Sequence, residues 1–116
     1  MLAYAHGALR VGLTVARTAD SNRSVLVPVL CLAEAYRQAP GQADLLDVFQ
    51  GLGHVHVTPV EQDMAPFLGG FSNTLGRMDL ANLVVTASEY AVVPIMTSER
   101  KLITQILPSE WPIIDL

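Results

Sequence analysis

Cysteine is almost absent: Cys31 is the only one in 116 residues. No internal disulfide can form, so the expectation is a fold held by its core, a reducing compartment and an ordinary buried thiol. Positive charge is scarce as well. Seven Lys and Arg against eleven Asp and Glu give a formal net charge of -4, with a pI near 5.1. That balance excludes broad electrostatic attraction to nucleic acid, and a phosphate-bearing substrate would require a local basic patch or a bound cation. No apolar run approaches the ~20 residues that span a bilayer. The start, Met1-Leu2-Ala3-Tyr4-Ala5-His6-Gly7, lacks a basic segment followed by a long apolar stretch, so the sequence reads as soluble and cytoplasmic, with no membrane partner.

What is abundant is apolar content, 51% against 16% charged. This suits one compact domain with both faces of a sheet covered, and it favours self-association. The spacing predicts a helix from Ala8 to about Asn22, a buried strand over Ser24 to Val29 closed by Pro28, and helices over Leu30 to Gln38 and Gln42 to Leu52. His54 to Val60 alternates as a strand. Glu61 to Leu75 looks helical, but Pro66 and Gly69-Gly70 predict a bend or break within it. Asp79 to Ala91 reads as a helix, Val92 to Thr97 as a strand, Lys101 to Leu107 as a short helix and Trp111 to Leu116 as a last strand. Four short strands separated by helices imply an α/β fold, a three-layer α/β/α sandwich around a parallel sheet.

In such a sheet, reactive groups gather beyond the carboxyl ends of the strands. Three acids fall there: Glu34 in the helix after the first strand, Asp79 at the start of a helix, and Glu99 after the third strand. Asp79 and Glu99 also read as ordinary first-turn acids favoured by the helix dipole, and Glu34 as a partly exposed helix residue. A carboxylate among apolar neighbours, as Glu34 is, calls for a cationic partner. Together, carboxylates from several strand ends offer the oxygen ligands that Mg²⁺ or Mn²⁺ prefers.

At these residues the chain resembles the PIN-domain family, metal-dependent nucleases that include the toxin half of many bacterial toxin-antitoxin pairs. Val27-Pro28-Val29-Leu30-Cys31-Leu32-Ala33-Glu34-Ala35-Tyr36 resembles the segment bearing the family's second acid. Asp79-Leu80-Ala81-Asn82-Leu83-Val84-Val85-Thr86-Ala87, continuing through Val93-Pro94-Ile95-Met96-Thr97-Ser98-Glu99-Arg100, resembles the segment with the third acid and the Thr-x-Asp turn. The likeness runs in order from about Leu2 to Leu116. It implies one PIN-like domain over residues 1-116, cleavage of single-stranded RNA with Mg²⁺ or Mn²⁺, and Glu34, Asp79 and Glu99 as catalytic and metal-holding residues. By the same resemblance, Glu34 and Asp79 hold the ion, Glu99 acts directly or through water, and an antitoxin protein and a second copy of the chain are partners.

Two departures qualify that expectation. The family's opening strand, which ends in Asp, has no counterpart: Leu2 to His6 resembles the helix that follows it, and no acid precedes Asp20. Glu99 stands where Asp is usual. The expected result is an N-terminally truncated domain with weak or absent catalysis, or a non-catalytic PIN-like module that dimerises or binds an antitoxin. The lost strand would lie between Ser24 to Val29 and Val93 to Thr97, and direct pairing of those two runs is the expected closure of the sheet.

Other residues carry weaker readings. His54 and His56 share a strand face but lack a third ligand, and His6 reads as an exposed histidine. Arg77, Arg100 and Lys101 could meet phosphate or be solvated surface charges. Tyr36, Phe49, Phe67 and Trp111 read as core or dimer contacts rather than stacking platforms for bases.

Overall fold

The computed structural model of the protein describes residues 24-89 and 94-115. The helix expected over Ala8 to Asn22, together with His6, lies outside these residues. The chain divides into two compact units that meet in sequence between Thr58 and Pro59.

In the first unit, β1 (Val25–Pro28) passes into α1 (Val29–Gln38) without a loop. Pro28 makes this possible. Its extended backbone, φ -60 and ψ 137, completes the strand and serves as the residue before the first helical turn, and a strand end is where a residue without an N–H costs least. α1 buries Leu32 and Ala35, three residues apart and hence on one face. The short 3₁₀ turn Pro40–Gln42 leads into α2 (Ala43–Gln50), which buries Leu46 and Phe49 at the same spacing. Ala35, Ala39 and Leu46 pack as one core, flanked by Tyr36. β2 (Val55–Thr58) then returns parallel to β1, with Val25 opposite Val55 and Pro28 opposite Thr58.

The second unit opens with a 3₁₀ turn, Gln62–Met64, and α3 (Ala65–Leu75). The break expected around Pro66 and Gly69-Gly70 does not occur. Pro66 lies in the first turn of α3, where its missing N–H has no intrahelical acceptor to lose, and the glycines are carried within an unbroken helix. Gly76, at φ +74, ends α3 in the left-handed conformation. α4 (Met78–Glu89) follows directly.

α4 organises this unit because it is buried on two sides. Leu80, Val84 and Ala87 join Leu75, Ile95, Ile103 and Leu107 in one core, while Ala81 and Val85 join Met64 and Leu68 in another. Its polar residues Asn82 and Thr86 are buried too, and the Asn82 amide donates to the Thr86 hydroxyl at 3.5 Å. β3 (Ile95–Thr97), α5 (Arg100–Ile103) and β4 (Ile113–Asp115) complete the unit. β4 lies parallel to β3, with Ile95 opposite Ile113 and Thr97 opposite Asp115.

The mixed α/β class and the parallel pairing match the sequence reading. Among the described residues the strands form two two-stranded sheets, β1 with β2 and β3 with β4. The reason is local: each pair is closed by the next strand along the chain, after a helical connection. α5 is shorter than the pattern over Lys101 to Leu107 suggested, because turns follow Ile103, although Leu107 N–H still donates to the Ile103 carbonyl at 2.9 Å. Phe49 is core, Trp111 packs half-buried against the core of α4, and Phe67 is exposed. Cys31 is half-buried rather than fully enclosed. No helix among the described residues is long and apolar enough to cross a membrane.

Candidate acidic site

The carboxyl end of β3 is shaped by Thr97. Its buried hydroxyl accepts the Glu99 N–H at 3.0 Å, and the Glu99 carbonyl in turn accepts from Leu102 and Ile103 to start α5. A Thr two residues before the acid thus fixes the backbone that carries the Glu99 side chain. On the neighbouring turn, Gly76 reverses the chain and the Arg77 carbonyl accepts the Ala81 N–H at 3.2 Å. Asp79 therefore falls in the first turn of α4, where the helix dipole favours a carboxylate.

Arg77 joins the two acids. Its Nε and Nη2 donate to the two Asp79 carboxylate oxygens at 3.2 and 2.8 Å, and its Nη1 donates to Glu99 Oε1 at 3.1 Å. Asp79 is the most enclosed of the three side chains at 12% exposure, against 29% for Arg77 and 38% for Glu99. Burial of the guanidinium lowers its pKa, but the hydrogen bond and charge of Asp79, followed by those of Glu99, outweigh that and leave it raised. Two of the three acids singled out in the sequence are thus brought together, on one shared cation.

Glu34 belongs to the first unit, on α1. Arg37 donates to it through Nε at 2.9 Å and through Nη2, and Gln38 Nε2 donates at 2.6 Å. The cationic partner that its apolar setting called for is supplied one helical turn away, in an i,i+3 pair whose arginine is largely exposed.

One acid was overlooked in the sequence. Asp115 ends β4 as the ladder partner of Thr97, so it stands at the same carboxyl edge. Arg100 grips it with Nε and Nη2, both at 2.8 Å, and adds a bond from Nη2 to the Ile113 carbonyl at 3.1 Å. Arg100 is therefore committed to a carboxylate, whereas Lys101 is exposed. The strand-end rule that selected Glu99 would have selected Asp115 from Ile113-Ile114-Asp115. His54 is half-buried just before β2, and His56 is exposed on it. Among the described residues, no group of three or more His, Cys, Asp or Glu is gathered closely enough to hold a metal ion.

Compared with models of known families, with curated proteins and with solved structures, the chain finds no match.

Proposed function

We propose that the chain is a PIN-like protein whose acids belong to a metal-dependent ribonuclease site of the toxin-antitoxin class, with weak catalysis. The observation that carries the reading is the convergence of Asp79 and Glu99 on a single cation at the carboxyl end of β3. Two carboxylates that already address one positive group form an oxygen donor set suited to a hard divalent ion. Asp79 and Glu99 would hold Mg²⁺ or Mn²⁺, whereas Glu34 is engaged by Arg37 and Gln38 in the first unit. Such an ion, when bound, neutralises the phosphate and activates water.

The chain's own groups do the rest. Thr97 holds the Glu99 backbone in place, the start of α4 presents Asp79, and Arg77 supplies positive charge within an acidic molecule. A three-layer sandwich, a homodimer and an antitoxin partner belong to the same reading, as the resemblance implies.

The second reading is a non-catalytic PIN-like module that dimerises or binds an antitoxin. It is favoured by Arg77 itself, because a guanidinium on both Asp79 oxygens satisfies the acid without any metal. Incubation of the chain with single-stranded RNA and millimolar Mn²⁺ separates the two. Slow cleavage that is lost with a chelator and with Asp79→Asn is the expected result. Complete inertness with Mn²⁺ and with Mg²⁺ selects the binding module, and cleavage indifferent to Asp79→Asn removes the site assignment.

A further inference from the structure

We propose that the exposed face of α3 is a docking surface for a basic amphipathic segment of a partner protein, whose apolar side chains cover Phe67 and Phe71 and whose Lys or Arg side chains meet Glu61 and Asp63. The inference goes beyond the ribonuclease reading and uses none of the residues of the acidic site. From Met64 to Gly76 no residue is charged, although only part of α3 is turned inward. Leu68 and Leu75 are buried, whereas Phe67 is 57% exposed, and the exposed Gly70 and Thr74 continue its face three and seven residues on. The Phe67 ring lies beside half-buried Phe71, with centroids 6.4 Å apart, so the two form one apolar surface. A Cβ at Gly70 would meet nothing within 4 Å. No close approach among the described residues therefore calls for glycine there, and glycine weakens a helix relative to alanine. A partner backbone laid against α3 beside Phe67 supplies the close approach that Gly70 permits.

Charge decides which partner fits. An open cleft lined by Glu61, Gln62, Asp63 and Pro66 leads into the start of α3, immediately before Phe67 in sequence. Among the described residues, Glu34, Asp79, Glu99 and Asp115 are each held by an arginine, but Glu61 and Asp63 have no cationic partner. Two unanswered negative charges thus border an uncharged apolar face. A second copy of the chain answers them poorly. Of the Lys and Arg among the described residues, Arg37, Arg77 and Arg100 are spent in ion pairs and Lys101 alone is not, and two chains of net charge -4 repel. An anionic membrane surface is repelled by the same charge. A partner that brings its own positive charge beside an apolar face is complementary on both counts.

Fluorescence anisotropy with a labelled helical peptide of leucine and lysine, its leucines on one face, tests the surface on the whole chain. The wild type should bind it, and binding should weaken about tenfold in Phe67→Ser, in Gly70→Gln and in the double variant Glu61→Gln/Asp63→Asn. The double variant should also flatten the dependence on salt. Asp44→Asn/Glu110→Gln, which removes the same charge elsewhere, should leave binding unchanged, and a peptide with glutamate in place of lysine should not bind. Circular dichroism checks that each variant is folded, and Gly70→Gln keeps the test decisive should Phe67→Ser unfold. No binding by the wild type, or binding that survives both Phe67→Ser and Gly70→Gln, overturns the proposal. An equal loss in Asp44→Asn/Glu110→Gln overturns it as well, by showing general attraction to an acidic chain. Self-association of the chain in sedimentation velocity that is lost in Phe67→Ser would give the face to a second copy, and adsorption to phosphatidylcholine vesicles lost in the same variant would give it to lipid; either overturns the assignment to a basic partner.

Discussion

The Arg77 guanidinium reaches the Glu99 carboxylate at 3.1 Å across 22 positions of sequence, and so ties the turn before α4 to the turn after β3. The same guanidinium takes both oxygens of Asp79. These contacts differ in enclosure, and that difference makes them separable by experiment.

Double-mutant cycles in urea should give Arg77 and Asp79 a coupling of roughly 0.5–1 kcal/mol and Arg77 and Glu99 no more than about 0.5 kcal/mol, because the second pair is single-pronged and more exposed to screening. Raising the salt should diminish the Glu99 coupling first. A larger coupling for Glu99 than for Asp79 would contradict the geometry.

Packing should dominate the stability of the same unit. Ile103 is fully buried in the core shared with Val84 and Ile95, whereas Phe67 is 57% exposed on α3. Ile103→Ala should cost about 2–4 kcal/mol by creating a cavity, and Phe67→Ala about 0.5 kcal/mol or less. Chemical denaturation monitored by circular dichroism orders the two, and a reversal would mean that the core has been misplaced.

The helices of this protein were legible because their apolar spacing is strong: Leu32 with Ala35, Leu46 with Phe49, and Leu80 with Val84 mark the buried faces. The strands were legible as elements but not as a sheet, since short β-branched runs such as Val25 to Val27 carry no information about which neighbour they pair with. Pro66 misled because the same residue breaks a helix interior and starts a helix, and only the position of the first turn decides which. Asp79 and Glu99 were visible as strand-end and helix-start acids. That Arg77 would bind both was not, because a contact over 22 positions depends on how the two turns are brought together. Asp115 was missed although the pattern around it was plain.

Tyr36 offers a pH test. Its hydroxyl donates to Asp47 and accepts from Gln50 at 2.7 Å. The hydrogen bond to Asp47, then burial and the charge of Asp47, raise its pKa above the ordinary 10.0, with Gln50 opposing. A raised folded-state pKa means that the folded protein holds this proton more tightly than the unfolded chain. The resulting stability is fully present below pH 10 and is lost as pH climbs through the folded value. Ultraviolet titration of the three tyrosines should show Tyr36→Phe removing absorbance change from the high-pH side of the transition. Loss from the low-pH side, or a wild type that gains stability relative to Tyr36→Phe above pH 10, would be inconsistent with the bond to Asp47.

Two glycines of the second unit should respond oppositely to alanine. Gly76 turns the chain between α3 and α4 at φ +74, and a Cβ there would meet no other atom within 4 Å. The penalty of Gly76→Ala therefore comes from the backbone alone, about 1–2 kcal/mol for a left-handed conformation that an L side chain disfavours. Gly70 lies inside α3, and its Cβ would also enter open space, but its backbone is helical. There alanine restricts only the unfolded chain, so Gly70→Ala should stabilise by about 0.5–1 kcal/mol. Because the turn at Gly76 also sets where Arg77 begins, Gly76→Ala should weaken the Arg77–Asp79 coupling in the double-mutant cycle, whereas Gly70→Ala should leave it unchanged. Thermal unfolding of the two variants, followed by that cycle in each background, reads both effects. Equal destabilisation by both alanines would show that α3 does not run unbroken through Gly70.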